Sequence, residues 1–145
     1  MTKSPKLYMA DTGLLLYLLS IRTQEDLFQS PLLGSIWETF VFNELRKKQI
    51  RESGHWSLFF WRDRSKEIDF LIHRGGRFDL IEVKWSERPT TGDTIAFQEV
   101  ASLVGKESIA SKTIVCRALN PFPLRDGVHA TPLREHVTSM DRGTK

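Results

Sequence analysis

The feature that most constrains this chain is a glycine pair set between two alternating runs: EIDFLIHR, then Gly75-Gly76, then RFDLIEVKW. Both glycines can take positive φ, and two such residues between period-two runs specify a tight antiparallel hairpin. With that turn, Arg74 pairs with Arg77, Leu71 faces Leu80, Asp69 lies across from Glu82, and Glu67 lies across from Lys84. Strict alternation gathers Glu67, Asp69, Leu71, His73, Phe78, Leu80, Glu82 and Lys84 on one face. Ile68, Phe70, Ile72, Ile81 and Val83 form the other, the core face, with Asp79 near the turn. The hairpin is thus apolar near its turn and charged at its open end.

The remaining elements follow from period and punctuation. Residues 1–6 read as frayed. MADTGLLLYLLS reads as a short helix capped by Asp11 or Thr12, and a further turn of helix is expected around Gln24–Phe28. A longer helix starts with Ser30 as N-cap and Pro31 in the first turn and runs to about Gln49. Its apolar arc holds Leu33, Ile36, Trp37, Phe40, Val41, Phe42 and Leu45, and two carboxylates, Glu38 and Glu44, fall inside that arc. A carboxylate on a core-facing arc requires a partner or a task. HWSLFFWRD is a strand, TIAFQEVASLVG a helix stopped by Gly105, and SKTIVCRAL a strand. NPFPLRDG is a turn-rich connection, VHATPLREHV a short strand or helix, and residues 139–145 a disordered tail. Three consecutive strands, a helix and a further strand predict a single α/β domain with a mixed central sheet flanked by helices. Its core lies within residues 30–120, behind an N-terminal helical segment of residues 1–29.

Length and composition narrow the class. At 145 residues, 40% hydrophobic and 27% charged, the chain suits one globular domain. A net charge of +3 permits a polyanionic partner without implying one. Cys116 is the single cysteine, in the apolar run TIVCRA, so no intrachain disulfide forms; this fits a reducing cytoplasm and a buried filler role. No run reaches the roughly 18 apolar residues of a membrane span, so no membrane association is expected. The four histidines, His55, His73, His129 and His136, form no zinc pattern. There is no GxxxxGK[ST] loop, so no ATP site is expected.

Two carboxylates facing each other across adjacent strands destabilise a sheet by up to roughly 1 kcal/mol. A cation between them reverses the sign. Oxygen ligands of this kind suit Mg²⁺ or Mn²⁺, as one ion or two. The spacing therefore supplies a metal-dependent phosphodiesterase site. Asp69 and Glu82 would be ligands, Lys84 would stabilise developing negative charge, and Glu38 would complete the metal shell or orient water. An ionic network of Glu67 with Lys84, and of Asp69 with Arg62 or Arg64, accounts for the same residues without a metal. Arg62, Arg64 and Lys66, beside Trp61, form a basic loop with the composition of a phosphate-backbone contact.

Glu38 in IWETFVFNEL, Asp69 in EIDFLI, and Glu82 and Lys84 in IEVKW resemble the motifs of the PD-(D/E)xK nuclease superfamily, in order and in spacing. Ile68 stands where the namesake motif has proline. PKLYMADTGLLLYLL, GSIWETFVFNEL, FWRDRSKEIDFLI and LIEVKWS are also similar, over roughly residues 5–118, to the uncharacterised domain that follows the ATPase module in many bacterial and archaeal AAA-type ATPases. The resemblance implies a restriction-endonuclease-like fold, Glu38, Asp69, Glu82 and Lys84 as the catalytic set, DNA as substrate and an AAA-type ATPase as partner. It also implies an auxiliary polar position at Gln98. The alternative is a catalytically inactive DNA- or protein-binding module of an ATPase system.

Overall fold

The computed structural model describes residues 5–53, 55–63 and 66–140. Five helices, α1 (Thr12–Leu18), α2 (Gln24–Gln29), α3 (Leu33–Arg51), α4 (Ile95–Val104) and α5 (Leu133–Ser139), surround six strands. These are β1 (Ser57–Asp63), β2 (Lys66–Arg74), β3 (Arg77–Val83), β4 (Ile109–Cys116), β5 (Phe122–Pro123) and β6 (Val128–Pro132). The sheet order is β1-β2-β3-β4-β6-β5. β1, β2 and β3 are antiparallel neighbours, β3–β4 and β4–β6 are parallel, and β5 closes the far edge antiparallel to β6. The fold is α/β with a mixed sheet flanked by helices, as the element order predicts.

The helices cover both faces of the sheet, so β2, β3 and β4 are buried on both sides. On one face Phe97, Val100 and Ala101 of α4 pack on Leu71, Leu80, Ile114 and Cys116. On the other, Val41 and Leu45 of α3 and Leu133 of α5 pack on Phe70, Ile72, Ile81 and Val83. The hairpin register is the one the glycine pair dictates, with Arg74 opposite Arg77 and Leu71 opposite Leu80. Gly75 and Gly76 have φ of 55° and 76°, a geometry that side-chain-bearing residues rarely adopt.

Several expectations are corrected. Residues 1–4 of the expected frayed end lie outside the described residues, but Lys6 is not frayed: it is part-buried, and Lys6, Tyr8 and Met9 are bonded to α3, where Asn43 Nδ2 donates to the Met9 carbonyl at 3.0 Å. Ser30 does not cap α3. It forms a turn in which its Oγ accepts from the Leu32 N–H, and the helix begins at Leu33. Residues 128–139 are both strand and helix, β6 then α5. Ser139 and Met140 do not belong to a disordered tail, because Ser139 is helical and Met140 is buried; residues 141–145 lie outside the described residues.

The alternation of β2 also breaks. Phe59 pairs with Leu71 and Trp61 with Ile68, so one residue of β1 faces two of β2, Asp69 and Phe70. That bulge re-aims the side chains that follow it. Ile68 accordingly packs with Leu71 on the α4 face, and Glu67 and Asp69 turn toward α3. The charged face expected from strict alternation is therefore altered: Glu67 and Asp69 turn toward the N-terminal segment on α3, while Asp69 stays close enough to Glu82 and Lys84 for its charge to act on both.

Candidate active site

The bulge puts the Asp69 carboxylate where β2 and β3 part. Regular pairing of these strands reaches Phe70 opposite Ile81, and beyond it Asp69 Oδ2 accepts from the Val83 backbone N–H at 2.9 Å. Asp69 Oδ1 accepts from Lys6 Nζ, also at 2.9 Å. The same ammonium donates to Glu38 Oε1 at 2.9 Å and stands 3.7 Å from Glu67 Oε1. Glu38 Oε1 takes a second, short bond from the Tyr8 hydroxyl, 2.5 Å. Tyr8 is fixed by stacking on Phe42, centroids 4.2 Å apart and planes 12° from parallel. The carboxylate on the apolar arc of α3 thus has its partners in the N-terminal segment.

Glu82 and Lys84 complete the group. Lys84 Nζ lies 2.9 Å from Glu82 Oε1 and 3.9 Å from Asp93 Oδ1, in the turn before α4. β3 ends at Val83, but the Lys84 N–H still donates to the Val115 carbonyl, so its backbone is held against β4. Glu82 Oε2 is buried with no hydrogen-bond partner.

The electrostatics follow. Burial, then the charge of Asp69, pushes the Glu82 carboxyl up to about 7, against the pull of Lys84. Burial and the neighbouring Glu38 carboxylate also hold Asp69 above its usual value, although Lys6 and the Val83 N–H oppose them. For Lys6, burial alone would depress the ammonium; Glu38 and Asp69 outweigh it and hold Lys6 above its usual value. Lys84 is raised in the same way, burial being overcome chiefly by Glu82.

The other expected site residues sit further out. Arg62 pairs with Glu67, its Nε 2.7 Å from Oε2, and Lys66 pairs with Glu99 at 2.9 Å. Arg64 lies outside the described residues. Gln98 is exposed and donates to Asp126 Oδ2 at 2.7 Å, away from the acid cluster. Cys116 is buried, and burial raises its thiol. Sequence reasoning missed Lys6 and Tyr8. The available signal was Glu38 itself: an acid on a buried arc demands a cation or donor, and PKLY supplies both.

Among the described residues, no three acids, histidines or cysteines are disposed as a ready-made metal set. The donor chemistry nevertheless fits a hard divalent cation. The candidate donor atoms are carboxylate oxygens, one of them orphaned, and the point between Glu38 and Asp69 already holds a cation in the form of the Lys6 ammonium.

Comparison with known proteins places the chain. The family model "Domain of unknown function (DUF4143)" matches residues 33–136. Uncharacterized proteins of Mycobacterium bovis and Mycobacterium tuberculosis are each 31% identical over 138 residues. The alignment covers 94% of this chain and 29% of each relative, so the chain spans under a third of their length. A solved structure, a half-complex of Thermococcus gammatolerans McrB AAA+ hexamers with bound McrC, aligns with a TM-score of 0.43 at 10% identity. It covers 75% of this chain and 33% of that one, a likeness too slight to identify the fold. Among the described residues, no helix is long and apolar enough to cross a membrane.

Proposed function

The chain belongs to the DUF4143 family, and we propose that it is a nuclease-like domain of PD-(D/E)xK type that acts on DNA with Mg²⁺ or Mn²⁺. We further propose that it works in the cytoplasm beside an AAA-type ATPase module. The observation that carries the nuclease reading is the buried acid cluster with its orphaned Glu82 Oε2 and the Lys84 ammonium alongside. The ATPase partner is supported by the resemblance of the four sequence motifs, and the greater length of the relatives leaves room for such a module.

Asp69 and Glu82 would hold the ion, with Glu38 completing its shell; when bound, the ion supplies Lewis acidity and a water acidified toward neutral pH. The chain's own residues do the rest. The Val83 N–H fixes the orientation of Asp69, and Tyr8 fixes that of Glu38. Glu82 keeps its proton up to about pH 7 and must release it to serve as a ligand. Lys84, held by the Val115 carbonyl through its backbone, presents an ammonium to the negative charge that develops on the phosphate. Lys6 has to withdraw from Glu38 and Asp69 before a cation binds there.

The Lys6 bridge also favours a second reading, in which the acids are already neutralised and the domain is a catalytically inactive DNA- or protein-binding module. Plasmid nicking separates the two. With Mg²⁺ or Mn²⁺ and not with EDTA, wild type should nick supercoiled DNA, and Lys84→Ala should be slower by about 10²-fold. Equal nicking by both proteins, or none by wild type with its ATPase module present, would discard the nuclease reading.

A further inference from the structure

Beside the acid cluster lies an open cleft of about 430 Å³, within the range of small-ligand sites. Its inner wall is aromatic. Tyr8 and Phe42 are stacked, and Phe70 lies 5.8 Å from Tyr8 and 6.1 Å from Phe42 between ring centroids. Its rim is β1, where Phe59 and Phe60 are 54% and 38% exposed; Phe59 pairs with Leu71 of the α4 face, so Phe60 is the one whose ring alternation turns to this side. β1 is an edge strand, a place where proteins ordinarily put charge or proline. Neither ring is explained by core packing. The exposed cation Arg46 also lines the cleft. Lys6 and Tyr8 are common to this cleft and to a smaller cavity of about 290 Å³ that contains Glu38 and Glu67.

We propose that this cleft receives an unstacked base of single-stranded DNA, seated so that the adjoining phosphodiester runs past Lys6 and Tyr8 onto the acid cluster. The proposal rests on the nuclease reading and specifies its substrate. A flat aromatic ring suits a wall of Tyr8 and Phe42 and a rim at Phe60, and stacking of this kind tolerates any base. A base inside a duplex has both faces covered by its neighbours and cannot enter. Among the described residues that line the cleft, Arg46 and Lys6 are the cations for the flanking phosphates, and Lys6 is the group that must leave Glu38 and Asp69. A phosphate drawing on Lys6 would therefore loosen the bridge that closes the acid cluster.

The test is fluorescence anisotropy with a labelled ten-residue oligothymidylate, its duplex, and a strand of the same length made of abasic sites. All are titrated with the full chain in EDTA, so that neither metal nor cleavage enters. The expected order is single strand tighter than duplex. Phe60→Ala should weaken single-strand binding by about tenfold, Phe60→Tyr should restore it, and the alanine should not matter for the abasic strand. The Phe60 ring is exposed, so melting temperatures near wild type verify the fold. Equal affinity for duplex, no binding by wild type, or indifference to Phe60→Ala would overturn the cleft. If nicking persisted in that case, the nuclease reading would stand without it. Ring-dependent single-strand binding with no metal-dependent nicking would keep the cleft and remove the nuclease reading.

Discussion

The β2–β3 hairpin carries buried charge at both ends, and the two ends are built differently. At the turn end, Asp79 accepts from the Ser111 hydroxyl at 2.5 Å and lies 3.1 Å from Arg74 Nε, an ion pair of one acid and one base. Nearby His136 is buried, and burial pushes it down to about 4, so it is neutral at physiological pH. At the open end, Glu38, Glu67, Asp69 and Glu82 face Lys6, Arg62 and Lys84. Asp79 Oδ2 makes no hydrogen bond, but it is the oxygen that Arg74 approaches. Among the described residues the second end also holds Asp93, 3.9 Å from Lys84, so its acids outnumber its bases, and Glu82 Oε2 has no donor. A purely structural network gains nothing from a surplus buried carboxylate. A cation site requires one.

The comparison breaks first on its cations. Arg74→Met leaves Asp79 buried with only Ser111 and should cost about 1–3 kcal/mol by chemical denaturation, discounted because Arg74 is partly exposed; added Mn²⁺ should not restore it. Lys6→Met should cost a similar amount in EDTA, about 1–3 kcal/mol, but there Mn²⁺ should recover the melting temperature and bind more tightly than to wild type, by about tenfold. Recovery in neither variant would make the two ends alike.

The pH dependence sharpens the contrast, because the two ends slope in opposite directions. Between about 6.5 and 4 the unfolded chain takes a proton on His136 that the folded chain refuses. That contribution, up to about 3 kcal/mol, is therefore lost as pH falls through this window, and His136→Phe should flatten the slope. Glu82 does the reverse. Folded protein keeps its proton up to about 7 while unfolded protein has already released it, so stability is lost as pH rises from about 4.5 to 7. Glu82→Gln should stabilise by about 1–2 kcal/mol at pH 8 and little at pH 4. Wild-type metal affinity should rise with pH across the same window. The smallest effect is expected at Gln98→Ala, whose partner Asp126 is also exposed: under about 0.5 kcal/mol, with nicking unchanged.

Much of this was legible before any coordinates. Gly75-Gly76 sets the hairpin register, and that register brings Asp69 toward Glu82. Asp11 caps α1 as expected, its side chain accepting from the Leu14 N–H. What was hidden depends on partners distant in sequence. Lys6 meets residues 32 and 63 positions away, and no local period marks such a contact. The bulge at Asp69–Phe70 exists only in pairing with β1; the run EIDFLI alternates without interruption. β5 is two residues within a proline-rich stretch, too short for periodicity to reveal. The basic loop, whose composition suits either a phosphate contact or a solvated turn, has Arg62 paired with Glu67 and Lys66 with Glu99, and the second pairing spans too much sequence for local spacing to show.

The most direct test of the central claim is calorimetric titration of Mn²⁺ at pH 8 into wild type and Asp69→Asn. The asparagine keeps an acceptor for the Val83 N–H; its amide nitrogen no longer accepts from Lys6, but that ammonium keeps Glu38, so the fold is spared. Saturable binding by wild type that is lost in the variant is the predicted result. No binding by wild type at millimolar Mn²⁺, or equal binding by both proteins, would contradict it and leave the open end of the hairpin as an ionic network.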